Sequence, residues 1–128
     1  MKLLLDTNAF LFWVDGSPRL TGRARRAIEN EAHTCFISLV TAWELAIKVS
    51  IGKLTLATPV GRYFAEHVAV NMFDVLGIEL SHIAAVEKLP QHHGDPFDRL
   101  LVGQALTEKL TIVSSDPVFA KYGLKPVW

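Results

Sequence analysis

The chain has 128 residues, with 13 basic and 13 acidic side chains and a formal net charge of zero. Apolar and aromatic residues make up 50% of it, which excludes a disordered tail and suits one globular domain spanning residues 1–128. The single cysteine, Cys35, excludes an internal disulfide framework, and no apolar stretch approaches the ~18–20 residues of a membrane span.

Lys2–Leu5 is a short apolar run, predicted as a strand and followed by the helix-start residues Asp6, Thr7 and Asn8. The apolar start is broken by Asp6 and Asn8, with no small-residue cleavage site behind it, so a cytoplasmic protein is expected. Thr21–Glu31 is predicted as a helix capped by Thr21, with an apolar stripe of Ala24, Ala27 and Ile28. Thr34–Ile37 has the β-branched and aromatic character of a strand. Ser38 then caps a helix reaching Ser50, with Gly52 just beyond it. Pro59 opens a helix to Val70, Met72–Leu76 is a strand, and Ser81–Leu89 is a short helix stopped by Pro90. After the polar loop Gln91–Asp95, Pro96–Lys109 is the clearest helix. Thr111–Val113 is a strand, Pro117–Tyr122 a short helix, and Pro126–Trp128 a last edge strand. Strands alternating with helices predict an α/β fold, with a parallel sheet covered on both faces.

The acids carry the chemical information. Asp6 ends the first strand, Asp116 follows a later one, and Asp95 and Asp98 open the long helix. Strand ends of a parallel sheet share one edge, where ligands bind and helix N-termini favour carboxylates. Each Asp also suits a plain helix cap. Glu44 suits one less well, because Val40 and Ile47 place it beside an apolar stripe; Lys48, four residues on, is its simplest partner. Carboxylates gathered within a few ångströms repel, and hard divalent cations relieve that repulsion. Oxygen donors without a nearby Cys favour Mg²⁺ or Mn²⁺, which activate water for phosphodiester hydrolysis.

With these residues in place, the chain resembles the PIN-domain ribonucleases, in particular the VapC toxins of toxin–antitoxin pairs. The resemblance rests on LLLDTNAFLFW, SLVTAWELAIKVSIGKL and HHGDPFDRLLVGQALTEKLTIVSSDPVFAKYG, taken in that order and spacing. It implies a three-layer α/β/α sandwich with a central parallel sheet of four or five strands. It further implies an Mg²⁺- or Mn²⁺-dependent endoribonuclease, with Asp6, Glu44, Asp98 and Asp116 as its acids and Asp95 as an additional one. Spacing leaves both Asp95 and Asp98 open as the direct ligand; Asp98 is favoured, since an N-cap position ties up a side chain. In this scheme Asp6 and Asp98 anchor the principal metal, while Glu44 and Asp116 act through water or complete a second site. Thr7, Asn8, Ser114 and Ser115 are expected to steady the carboxylates. The resemblance also implies an RNA substrate, a VapB-like antitoxin seated in an apolar groove, and a homodimer.

The zero net charge confines RNA binding to local sites or to bound metal. Arg99, Lys48, Arg23 and Arg26 are the candidate RNA contacts, with Arg25 and Lys53 beside them. Phe10, Phe12, Trp13 and Trp43 are expected mainly in the core, with some of them facing a partner. His92 and His93 are expected to meet solvent or RNA, because adjacent imidazoles lack metal-ligand spacing. Two alternatives are a non-catalytic PIN scaffold and a receiver-type phosphoacceptor domain. The second needs an acceptor Asp near mid-chain, and none occurs between Asp15 and Asp74. A haloacid-dehalogenase-like phosphatase would need an Asp where Asn8 stands.

Overall fold

A computed structural model describes all 128 residues. The elements run β1 (Lys2–Leu5), α1 (Thr7–Asp15), α2 (Gly22–Glu29), β2 (Thr34–Ser38), α3 (Leu39–Ser50), α4 (Val60–Val70), β3 (Asp74–Leu76), α5 (Leu80–Glu87), α6 (Pro96–Glu108), β4 (Thr111–Val113) and α7 (Val118–Lys121). The four strands form one parallel sheet in the order β3-β2-β1-β4. This is not the 2-1-3-4-5 order of receiver-like folds.

Because β1 lies between two strands and two helical layers, every residue of Leu3–Leu5 is fully buried. Side-chain alternation splits them between two cores. Leu3 and Leu5 join Ile37, Phe10 of α1, Ile28 of α2 and Phe64 of α4. Leu4 joins Ile112, Leu101 and Val102 of α6, and Phe119 of α7. Fully burying one such leucine contributes about 1.5–3 kcal/mol. The sheet is thus the middle layer of an α/β/α sandwich.

Helix starts follow the predicted caps. Asp6 accepts from Ala9 N, Thr21 from Ala24 N and Ser38 from Val40 N. Gly16 ends α1 at φ 62°, where its N–H closes the last turn onto Phe12 and Trp13 carbonyls. Gly103 lets α6 lie close to α5, since a Cβ there would meet the His82 carbonyl oxygen at 2.8 Å.

Two boundaries depart from expectation. The strand expected from Met72 starts only at Asp74, because Met72 turns the chain at φ 52°. The edge strand expected at Pro126–Trp128 reduces to a single bridge between Val127 and Val113, with both backbone groups of Val127 paired. Val127 makes both of its bonds along β4, so the Pro126 nitrogen faces away from that strand, where its missing N–H costs nothing. No helix is long and apolar enough to cross a membrane.

Candidate metal centre at the carboxyl edge

The parallel sheet delivers the ends of β1, β2 and β4 to one edge. Asp6 directly follows the central strand, and its N–H is held by the Val113 carbonyl at the end of β4. Its side chain is only 7% exposed. One carboxylate oxygen accepts from Ala9 N at 2.8 Å, and the other takes a short hydrogen bond from Ser114 Oγ. Burial pushes the Asp6 carboxyl up to about 6; the Ser114 and Ala9 bonds pull it back, and the Glu44 and Asp116 charges push it further up.

Glu44 is 8% exposed and lies on α3, which starts at the end of β2. Thr7 Oγ1 donates to its Oε1 at 2.6 Å, and Thr41 Oγ1 stands 3.1 Å from Thr7 Oγ1. Lys48 Nζ sits 2.7 Å from Oε2. The simple helix pair expected from the spacing is therefore formed, and formed by a buried carboxylate. Lys48 is engaged with that acid.

Asp95 and Asp98 divide their tasks. Asp95 Oδ1 accepts from Phe97 N at 2.8 Å and Asp98 N at 3.0 Å, so Asp95 is the cap of α6 and is exposed. Asp98 takes no backbone bond and is half-buried; His93 Nε2 lies 3.4 Å from its Oδ2. Burial raises the Asp98 carboxyl to about 6, with the charges of Asp95, Asp116 and Glu44 adding to the rise and the His93 contact opposing it. Asp116 is exposed, and its Oδ1 accepts from Val118 N at 2.9 Å.

The structure thus brings Asp6, Glu44, Asp98 and Asp116 to one end of the sheet, where their charges act on one another. It does not gather their oxygens around a point: no group of three His, Cys, Asp or Glu side chains could hold an ion as they stand. The expectation of carboxylates packed within a few ångströms is corrected accordingly. Like charges separate, and Asp6 and Glu44 are each tied down by their own hydrogen-bond donors. The donor chemistry still fits a hard divalent cation: the donors are carboxylate oxygens, two of them on acids raised by burial and then by neighbouring charge, and a third acid already holds an ammonium.

Other expectations sort by burial. Of the four supporting residues, Thr7 and Ser114 bond to acids, whereas Asn8 and Ser115 are exposed and bond to none. Thr41, one turn before Glu44, fills part of that role. Arg99 is 8% exposed and pairs with no acid; its Nη1 donates to the Pro90 carbonyl at 2.9 Å and Tyr122 Oη at 3.1 Å. These bonds make its guanidinium an anchor of the loop before α6. Arg23 and Arg26 lie exposed on α2 and bond to none of the acids. Phe10 is core, Phe12 packs on Trp128, and Trp13 packs on Phe73, while Trp43 remains 45% exposed beside Phe97. His93, expected to meet solvent or RNA, touches Asp98 and Tyr122; the distance of 29 residues from Tyr122 gave no signal for that contact.

Comparison with known proteins adds the relationship. Residues 3–125 match the PIN domain family. No curated protein matches the chain. Among solved structures, the chain is similar to the crystal structure of VapBC2 from Rickettsia felis bound to a DNA fragment from their promoter. That match has 16% identity, full coverage of both chains (100% and 100%) and a TM-score of 0.69. A toxin–antitoxin complex from Klebsiella pneumoniae is similar at 20% identity, covering 89% of this chain and 86% of that one, with a TM-score of 0.57.

Proposed function

The chain belongs to the PIN-domain family, and from that premise we propose that it is an Mg²⁺- or Mn²⁺-dependent endoribonuclease, the toxin of a toxin–antitoxin pair acting in the cytoplasm. The observation that carries the reading is the placement of buried Asp6 with Glu44, Asp98 and Asp116 at the carboxyl edge, where burial, reinforced by their mutual charge, raises Asp6 and Asp98 to about 6. A fold without use for that repulsion has no reason to keep it.

Asp6 and Asp98 would hold the ion directly, with Glu44 and Asp116 reaching it through water. Mg²⁺ keeps several waters and takes only one or two carboxylates directly, so three converging side chains are not required. Bound there, the cation supplies charge neutralisation and a lowered pKa for water attacking phosphorus. The protein supplies orientation. Ser114 and the Ala9 N–H hold Asp6, and Thr7 holds Glu44. Asp116 hangs by one oxygen from the start of α7, which leaves the other oxygen for water. Hydrolysis leaves a 5′-phosphate and a 3′-hydroxyl.

One similar solved structure is VapBC2 and the other a toxin–antitoxin complex by name, which supports a VapB-like antitoxin as partner. Exposed Trp43 of α3 and Leu80 and Ile83 of α5 offer helical surface for a homodimer. A monomeric mass by light scattering at micromolar concentration would contradict the dimer.

The test is incubation of the purified protein with total RNA, with Mg²⁺ or with EDTA, beside Asp6→Asn and Asp98→Asn. Cleavage that needs Mg²⁺ and is lost in both variants is expected. Cutting at the parent rate by both variants contradicts the assignment, and a parent that binds Mn²⁺ without cutting favours the non-catalytic scaffold.

A further inference from the structure

Asp98 is the acid least tied down: it takes no backbone donor, and Glu44, which takes none either, is held by Thr7 at 2.6 Å and Lys48 at 2.7 Å. Asp6 and Asp95 cap helices and Asp116 bonds to Val118 N, but the only group on the Asp98 carboxylate is the His93 ring at 3.4 Å. A side chain free to rotate loses that freedom on binding an ion, and the loss weakens binding.

His93 is itself held. Its Nδ1 lies 2.7 Å from Tyr122 Oη, and Tyr122 Oη receives Arg99 Nη1 at 3.1 Å. Arg99 and Tyr122 are both 8% exposed, and Arg99 also donates to the Pro90 carbonyl. The direction of these bonds follows from elementary chemistry. A guanidinium only donates, so the Tyr122 oxygen accepts from Arg99 and keeps its own proton to give. The Asp98 carboxylate only accepts, so a neutral His93 ring that bonds to it carries its proton on Nε2 and takes the Tyr122 proton at Nδ1. A neutral imidazole that accepts at Nδ1 carries its proton on Nε2, the nitrogen that faces Asp98.

We propose that Arg99, Tyr122 and His93 form a one-way hydrogen-bond chain ending on Asp98 Oδ2, which makes His93 a positioning residue that presets the Asp98 carboxylate and leaves Oδ1 for the cation. The metal-binding part rests on the function proposed above; the direction of the chain does not. Outer partners of metal ligands typically change affinity by about 10–100-fold when removed, and this one, long and partly exposed, belongs at the lower end.

Nitrogen-15 spectra of the histidine rings in metal-free protein test the direction. His93 is expected with its proton on Nε2 and none on Nδ1, a preference that weakens in Tyr122→Phe; a proton on Nδ1 of the neutral ring overturns the chain. Calorimetry with Mn²⁺ tests the consequence. His93→Ala should weaken binding about tenfold. Tyr122→Phe should weaken it less, and the double variant should be no worse than His93→Ala alone. His93→Gln, whose amide can donate to Asp98, should recover most of the affinity, and equal losses in the Gln and Ala variants would reduce His93 to loop packing. Parent-like affinity in a stably folded His93→Ala overturns the positioning role while the metal site stands. A parent that takes up no Mn²⁺ overturns the metal site and with it the positioning role, and leaves the direction of the chain to the ring spectra.

Discussion

Ser38 and Asp6 end adjacent strands, and the polar groups buried around them are satisfied in opposite ways. Ser38 Oγ donates to Gln104 Oε1 at 2.6 Å and caps α3, while Gln104 Nε2 donates to the Gly77 carbonyl at 3.1 Å. All of these groups are neutral, and both side chains are fully buried. The cluster ties β2 to α6 at no electrostatic cost. Around Asp6 the charged groups are carboxylates, two of them buried, and Lys48 is the cation paired with one of these. One cluster lowers the energy of the folded chain by itself. The other repels itself, and in the proposed function a bound cation relieves that repulsion.

Four perturbations sharpen the contrast, beginning with the largest. Asp6→Asn should reduce RNA cleavage by more than about 100-fold, the upper end for losing merely an outer partner of a metal ligand. The same variant should melt no lower than the parent without metal, since Asn caps a helix as well as Asp does. A lower melting temperature would place Asp6 in the stabilising class with Gln104. Gln104→Leu should behave the other way. It strips partners from Ser38 and Gly77 and should cost about 2–3 kcal/mol in urea denaturation, with Mn²⁺ affinity close to the parent's.

The third perturbation is pH. Asp6 and Asp98 have carboxyls raised to about 6 in the folded chain from the ordinary 3.8 of an aspartate. Between those values the folded state binds more protons than the unfolded state, so their contribution to stability rises as pH falls from 7 toward 4. For buried Asp6 the swing is on the order of 2 kcal/mol, and for the more exposed Asp98 it is smaller. Metal-free parent and the Asp6→Asn/Asp98→Asn double variant, unfolded in urea across this range, should differ by that trend; superimposable pH dependences would contradict it. The smallest effect belongs to Asp95→Ala, which removes the α6 cap and should cost about 1 kcal/mol, with Asp95→Asn nearly neutral.

Most of the fold was legible because the local signals agreed with the tertiary ones. β1 occupies Lys2–Leu5 as the apolar run predicts, and Ser38 and Thr21 cap the helices they precede. The last strand was misread in extent: only Val127 pairs with β4, and a single bridge forms. Within the site, the acids were visible as strand ends and a helix start. Their supports were less so. Asn8 and Ser115 sit next to the right residues but face outward, whereas Thr41 lies on the correct turn of α3 to join Thr7. Arg99 reads as a surface cation until burial and three oxygen acceptors define it as an anchor. The contact of His93 with Tyr122 joins distant segments, and no periodicity carries such information.

The most direct measurement is thermal melting at neutral pH, with Mn²⁺ and with EDTA, for the parent and for Asp6→Asn. A ligand that binds only the folded chain raises its melting temperature. Mn²⁺ should raise that of the parent and leave that of Asp6→Asn where EDTA leaves it. A parent indifferent to Mn²⁺, or a variant that gains as much as the parent, would contradict a cation site built on these acids.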